Sequence, residues 1–281
     1  MPDEALIGAA QAPDLHVMTF NVRRAVEGRL RLRADRWSTR APAVQALLTT
    51  ERPTLLGLQE VRPRVLLTLR DALGDGYRML GRGRRRDGGG EGNPLFFNDR
   101  RLQLRDGGQR ALSDRPQQAG STGWGNVLPR ILVWAELTDR VTGRRFLAVN
   151  THFDHLSAGS RRRSAAAIRD LVAARGLPAV VLGDLNAGAD SAALARLTED
   201  RGAGGPLADA WARAGARRTA AWGTYAGYRP PREGGRRLDW ILVTPSIEVR
   251  AVAINARRHA GRWPSDHLPV QAVLRIGKEH E

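Results

Sequence analysis

The 281 residues contain no cysteine, which excludes disulfides, thiolate metal sites and a cysteine nucleophile. A hydrophobic share of 42% suits one large α/β domain with a full core, and no apolar run approaches the length of a membrane span. The net charge of +16 suits a phosphate-bearing partner, but Lys278 is the only lysine, an arginine bias that accompanies abundant Ala and Gly, so the charge permits such a partner without demanding one.

The opening MPDEALIGAAQAPD lacks a basic region followed by an apolar block, so no signal peptide is expected and the protein is read as cytoplasmic. Residues 1–13 are expected to be loose, 14–277 to form one domain and 278–281 to be a tail. LHVMTFNV (15–22) is an apolar, β-prone run ending at polar Asn21, and 23–33 is a basic loop. Over 36–50, Trp37, Ala41, Val44, Leu47 and Leu48 recur at helical spacing until Pro53 stops the helix. TLLGLQEV (54–61) is a second buried strand with Gln59 and Glu60 at its end. A carboxylate there is costly to bury unless it is paired or metal-bound; the alternative is emergence into solvent.

A helix over 63–73 carries Val65, Leu66 and Leu69 on one face, and 77–80 is a short strand. The Gly- and Arg-rich 81–92 lacks phosphate-loop spacing and is read as a flexible loop closed by Glu91. NPLFFN (93–98) and 101–104 follow as strands, and 106–128 reads as a loop whose Trp124 is either a stacking platform or a core anchor. RILVWAEL (130–137) and RRFLAVNTHF (144–153) form a hairpin about Thr142-Gly143, and the second strand runs into Asn150, Thr151, His152, Asp154 and His155.

An arginine-led helix spans 161–174. PAVVLGDLNA (178–187) carries a buried strand to Gly183 and presents Asp184 and Asn186 at its tip, where α/β folds bind ligands. The local alternative is an ordinary Asp-x-Asn turn. A helix over 191–197, a loop over 202–205 and a short helix over 207–213 lead to the basic, aromatic loop GTYAGYRPPREGGRR (223–237). RLDWILV (237–243) is a strand with Asp239 embedded in it, 247–254 is another, and WPSDHLPV (263–270) sets Asp266 and His267 before the last strand, 270–276.

Polar residues thus gather at the ends of strands in TFNVR, LQEV, VNTHFDH, GDLNA, RLDWILV and SDHLPV, in that order. This series resembles the endonuclease/exonuclease/phosphatase (DNase I-like) superfamily, in motif style nearest its CCR4/nocturnin-like branch and the bacterial relatives of that branch. The resemblance implies an α/β (α+β) four-layer sandwich, two mostly antiparallel β-sheets flanked by helices. It implies Glu60 as principal Mg²⁺ ligand with Asn21 beside it and Asp266 as a second carboxylate of the metal region, Mn²⁺ being a possible substitute. Asp184 would orient or deprotonate the attacking water, and Asn186 would bind the scissile phosphate. His267 would stabilise the transition state with Asp239 fixing its tautomer, and His152 would bind phosphate. Glu91 stands where a carboxylate partner of that histidine is placed, and Arg130 resembles a phosphate-contacting arginine.

The implied activity is Mg²⁺-dependent hydrolysis of phosphodiesters, first of nucleic acid and in one form as a 3′–5′ exonuclease. Asp154, Trp222 and Tyr225 join Arg130 and Glu91 as candidate substrate-binding residues; the aromatics either stack bases or pack within a lid loop. The alternatives are a phosphomonoesterase of a nucleotide or sugar phosphate and a non-catalytic nucleic-acid binder. A monomer without a membrane or protein partner is expected.

Overall fold

Runs that are apolar without interruption in the sequence become strands buried on both faces, since each sheet is covered by the other sheet on one side and by helices on the other. The computed structural model describes residues 4–200 and 205–277. The expected loop at 202–205, apart from Gly205, the 278–281 tail and the first three residues lie outside the described residues.

The chain opens with β1 (Asp14–Asn21), α1 (Trp37–Glu51), β2 (Leu55–Gln59), α2 (Pro63–Leu73), β3 (Tyr77–Leu80), β4 (Leu95–Asn98) and β5 (Leu102–Ala111). The hairpin β6 (Ile131–Asp139) and β7 (Arg145–His152), α3 (Ala158–Arg175), β8 (Ala179–Asp184) and α4 (Ala192–Thr198) follow. Short β9 (Ala208–Asp209), α5 (Ala210–Arg213) and β10 (Ala216–Arg217) precede β11 (Asp239–Val243), β12 (Ile247–Ile254) and β13 (Val270–Ile276).

Seven strands pair in the order β10-β12-β13-β1-β2-β4-β3 and six in the order β5-β6-β7-β8-β11-β9. Among the described residues, only β1–β2, β7–β8 and β10–β12 pair in parallel, so both sheets are mixed and mostly antiparallel. Val17, Leu55 and Phe97 of the first sheet meet Val133, Phe146 and Leu182 of the second between the layers. Leu47, Leu48 and Leu69 of α1 and α2 cover Phe20, Leu58 and Phe96 on the outer face of the first sheet. Ile168, Val172 and Leu194 of α3 and α4 cover Val149, Val181 and Trp240 on the second. The result is the expected four-layer, DNase I-like sandwich. Among the described residues no helix is long and apolar enough to cross a membrane.

Asn150 carries polar contacts across the apolar middle. Asn150 donates through Nδ2 to Leu58 O (2.9 Å) and Asn93 O (3.0 Å), and its Oδ1 accepts from Gln59 Nε2 (2.7 Å). A Cβ on Gly57 would stand 2.8 Å from Asn150 Oδ1, so the sheets meet here at a spacing that only glycine allows.

Three local expectations are corrected. β5 continues to Ala111 instead of giving way to a loop at 106, with a register shift between Leu104 and Asp106. Its Gly107 and Gly108 mark close packing, because an added Cβ would lie 2.6 Å from Leu80 Cδ2 and 3.2 Å from Trp134 Nε1. The stretch before β1 is tied down at residues 6–8: the Glu51 carboxylate accepts the amides of Leu6 (2.8 Å), Ile7 (3.1 Å) and Gly8 (3.1 Å). The helix expected over 207–213 shrinks to Ala210–Arg213, because Ala208–Asp209 joins the second sheet and Asp209 caps the turn by accepting Trp211 N (3.0 Å).

Candidate active site

Strand register brings the polar tips together. His152 is the parallel-ladder partner of Asp184, and Asp239, the first residue of β11, is its antiparallel partner. Asn21 pairs with Gln59 at the same edge of the first sheet, and β13, which pairs with β1, is entered from Asp266 and His267. These ends border a cleft of about 440 Å³.

Glu60 (φ 59°) and Asn186 (φ 47°) are non-glycine residues in the left-handed region. Such strain costs about 1–3 kcal/mol and persists where surrounding contacts over-determine the backbone. The contacts are present. Glu60 Oε2 accepts Arg24 N (2.9 Å), and its Oε1 accepts Asn21 Nδ2 (3.2 Å). The same Asn21 amide donates to Asp184 Oδ2 (3.0 Å), joining the two sheets. Asp184 Oδ1 accepts Asn186 N (2.9 Å), and Asn186 commits one side-chain N–H to Phe153 O (3.1 Å).

Two histidines flank Asp184 Oδ2, His152 Nε2 at 3.6 Å and His267 Nε2 at 3.7 Å. Both separations exceed a direct hydrogen bond. His267 Nδ1 donates to Asp239 Oδ2 (2.8 Å), which fixes the ring and aims Nε2 at the cleft. The two rings differ in charge. Burial opposes the charge of His267, but Asp239, Asp184 and Asp266 raise it well above its ordinary value, which favours the protonated ring. Burial instead takes His152 down to about 4, against the pull of Asp184, so it is neutral. Burial and Asp239 raise the Asp184 carboxyl above the usual carboxylate range. Burial would also raise Glu60, but His152, the Arg24 amide, Arg23 and Asn21 outweigh it and hold the carboxyl at about 2.

Arginines surround these groups. Arg23, Arg24, Arg84, Arg130 and Arg236 all line the cleft. Arg84 reaches it from the glycine-rich loop, which is folded back on itself and not the flexible loop its composition suggests: Gly83 N donates to Gly88 O (2.9 Å) and Arg84 N to Glu91 O (2.9 Å). A Cβ on Gly83 would sit 2.1 Å from Gly89 O.

Of the expected residues, Glu60, Glu91, Arg130, His152, Asp184, Asn186, Tyr225, Asp266 and His267 line the cleft, with Asn21 and Asp239 fully buried beside them. Three placements differ from expectation. Glu91 pairs with Arg84 (2.9 Å), Arg62 (3.3 Å) and Arg24 (3.9 Å), while His152 has Asp184 as its carboxylate neighbour. Asp154 lies behind the cleft wall, where it pairs with Arg130 Nε (3.2 Å) and accepts the amides of Leu156 and Ser157 (2.9 and 2.8 Å). Trp222 packs on the inter-sheet core and stays out of the cleft. Trp124 is an anchor: its Nε1 donates to Asp114 Oδ1 (2.7 Å) and its ring packs on the core under α3. Tyr225 stands edge-on to His267, ring centroids 5.1 Å apart.

Residues not singled out from the sequence are Arg24, Arg84 and Arg236; His155, named there only within the polar cluster after the hairpin, holds Arg130 Nη2 through Nδ1 (3.0 Å). Arg23 was visible inside TFNVR, whereas the others sit in loops where arginine is common throughout.

Two groupings offer places for a cation. Glu60 and Asp266 line the cleft with carboxylate oxygens of the hard type that Mg²⁺ prefers, and beside them Asn21 turns its amide N–H to Glu60 while its Oδ1 accepts Arg23 N (2.9 Å). Asp184, Asp239 and His267 present ligand atoms within 4.8 Å of one another, and Asp239 Oδ1 is buried with no hydrogen-bond partner.

Residues 18–267 match the Endonuclease/Exonuclease/phosphatase family. No curated protein matches the chain in sequence. Among solved structures, an endonuclease/exonuclease/phosphatase from Bacteroides vulgatus is 32% identical, with TM-score 0.84 over 94% of this chain and 99% of that one. A family protein from Bacteroides thetaiotaomicron is 28% identical (TM-score 0.84; 95% and 98% covered). The mannosyl-6-phosphatase Bt3783 of the same organism is 29% identical (TM-score 0.81; 92% and 99% covered). The human Nocturnin catalytic domain shares the fold at 19% identity (TM-score 0.67; 93% and 94% covered). The chain therefore belongs to the Endonuclease/Exonuclease/phosphatase family, a generally metal-dependent family of hydrolases that act on phosphoester bonds.

Proposed function

We propose that the protein is a Mg²⁺-dependent phosphatase that removes the terminal phosphate of a small polar metabolite such as a sugar phosphate. The observation that carries this reading is the cleft itself: about 440 Å³, bordered by Arg23, Arg24, Arg84, Arg130 and Arg236, with Tyr225, among the described residues, the one Phe, Trp or Tyr that lines it. That volume suits a small ligand. A phosphomonoester carries about −1.5 to −2 charge at neutral pH, and planar arginine forks match its oxygens. The likeness to a mannosyl-6-phosphatase at 29% identity supports the same class.

Glu60, Asn21 and Asp266 are the residues assigned to the cation, which when bound draws charge from the phosphoryl group. Asp184 holds the attacking water and takes its proton, a task suited to a carboxylate whose basicity is raised by burial and Asp239. Asn186 gives its remaining amide N–H to a phosphate oxygen. His267, kept protonated by its carboxylate neighbours, donates from Nε2 to the oxygen on which charge develops, and Asp239 holds its tautomer. Neutral His152 and Arg130 bind the other phosphate oxygens.

Hydrolysis of single-stranded nucleic acid is the second reading, favoured by the net charge of +16. It is weakened by the position of Trp222, which leaves Tyr225 without a second stacking surface at the cleft. A panel of sugar phosphates, nucleotides, single-stranded RNA and single-stranded DNA, each with Mg²⁺ and with EDTA, separates the readings. Release of phosphate from a sugar phosphate in Mg²⁺ alone is expected. Cleavage confined to oligonucleotides would transfer the assignment to a nuclease, and binding that survives EDTA without any turnover would make the chain a binding protein.

A further inference from the structure

Arg40, in the first turn of α1, is fully buried, and its guanidinium serves backbone carbonyls from three separate places. Nε donates to Asp35 O (3.1 Å), Nη1 to Val22 O (2.7 Å) and Pro264 O (3.2 Å), and Nη2 to Arg23 O (3.2 Å) and Arg24 O (3.1 Å). Two of these places are the segment after β1 and the segment that delivers Asp266 and His267.

The direction of the peptides matters more than the number of bonds. In a trans peptide the C=O and the following N–H point opposite ways. The peptide that gives Val22 O to Arg40 turns the Arg23 N–H toward Asn21 Oδ1 (2.9 Å). The next peptide gives Arg23 O to Arg40 and turns the Arg24 N–H toward Glu60 Oε2 (2.9 Å). A buried positive charge on the oxygen side of each peptide strengthens donation from its nitrogen side. Around the same loop, Asp35 Oδ1 accepts from Arg23 Nε (3.1 Å) and from Tyr228 Oη (2.9 Å), which closes the segment from the side.

We propose that Arg40 is a positioning residue for catalysis: through the Val22 and Arg23 peptides it orients Asn21 and Glu60, and through Pro264 it sets the segment of Asp266 and His267 against them. This rests on the reading of Asn21, Glu60 and Asp266 as the cation-holding groups. Arg40→Lys keeps the charge but loses the fork that reaches so many carbonyls at once.

The test is Mg²⁺ binding by calorimetry, in parallel with kcat and KM on the best substrate of the panel. In folded Arg40→Lys, Mg²⁺ binding and kcat are each expected to fall by about 10–100-fold, the range seen when the supports of metal ligands are removed, with KM little changed. Wild-type Mg²⁺ affinity and kcat in that variant would overturn the proposal. Glu60→Gln, measured alongside, separates the two levels: if it leaves Mg²⁺ binding intact, the cation assignment itself fails. Should Arg40→Lys not fold, hydrogen exchange on the wild-type protein decides. The Arg23 and Arg24 amides are expected to be protected relative to that of exposed Leu30, and exchange of both at the Leu30 rate would overturn the proposal.

Discussion

Asp184, His152 and Asp239 sit opposite one another on three neighbouring strands, so the ladder that builds the sheet also sets their separations. Arg24, Arg84 and Arg236 reach the same cleft from loops. The strand-borne groups cannot move relative to one another without breaking backbone hydrogen bonds in the covered sheet. The loop-borne arginines are held by side-chain contacts instead, Arg84 by Glu91 (2.9 Å) among them. Reaction chemistry is therefore expected to reside in the first set and substrate choice in the second, and variants can break or sharpen that division.

The largest loss is expected from Glu60→Gln, on the order of 10³ in kcat/KM, because the amide takes the charge from the proposed cation site and has one oxygen for the two donors, Arg24 N and Asn21 Nδ2, that the carboxylate accepts. Unchanged secondary structure by circular dichroism should accompany it; full Mg²⁺-dependent turnover would break the division at its centre. Asp239→Asn comes next, with kcat down on the order of 10² and KM nearly constant, since the His267 ring keeps its place but loses the carboxylate that charges it. A rise in KM equal to the fall in kcat would move Asp239 to the substrate-binding set.

Arg84→Ala sharpens the other half. Loss of one charge-assisted contact, about 1.4 kcal/mol, corresponds to a roughly tenfold higher KM with kcat retained. Glu91 then keeps Arg62 at 3.3 Å and Arg24 at 3.9 Å as its partners, so the loop is expected to stay closed. A fall in kcat with KM constant would count against assigning this arginine to substrate selection.

The smallest effect on turnover belongs to His16, near the start of β1, away from the Asn21 end. Its Nδ1 donates to Gly8 O (2.8 Å) and Glu51 O (3.2 Å), and burial holds the ring down at about 4. The unfolded chain takes up this proton below about 6.5, before the folded one does, so folding stability should decline as pH falls from about 6.5 to 4. The full contribution is up to about 3 kcal/mol. His16→Gln should flatten that decline in chemical denaturation curves without altering kcat at neutral pH. A slope equal to that of the wild type would remove His16 as its source.

The same division explains what could be read from the chain. Asn21, Glu60, His152 and Asp184 each terminate or follow an apolar run long enough to be a covered strand, and a polar residue at such an exit is conspicuous. Arg84 and Arg236 lie in Gly- and Arg-rich loops, where the composition of the whole chain hides any single arginine. Glycine misled in a second way. Gly107 and Gly108 look like loop residues but serve a long strand that packs against Leu80 and Trp134, and Gly83 looks mobile but allows a tight return. Trp222 fits a stacking role in the sequence because nothing local records that its ring turns inward. Glu91 lines the cleft, but its arginine partners come from segments far apart in sequence, and no spacing in the sequence records them.

The Gly57–Asn150 contact beneath the cleft acts as a gauge block between the two halves of the catalytic machinery. Gly57→Ala would wedge apart the sheet that carries Glu60 and the sheet that carries Asp184, whatever substrate is offered. Grafting the 82–91 loop from a relative leaves that gauge untouched. Descendants of such a scaffold can thus inherit one hydrolytic engine and acquire new substrates by loop exchange alone, and the same route is open to an engineer.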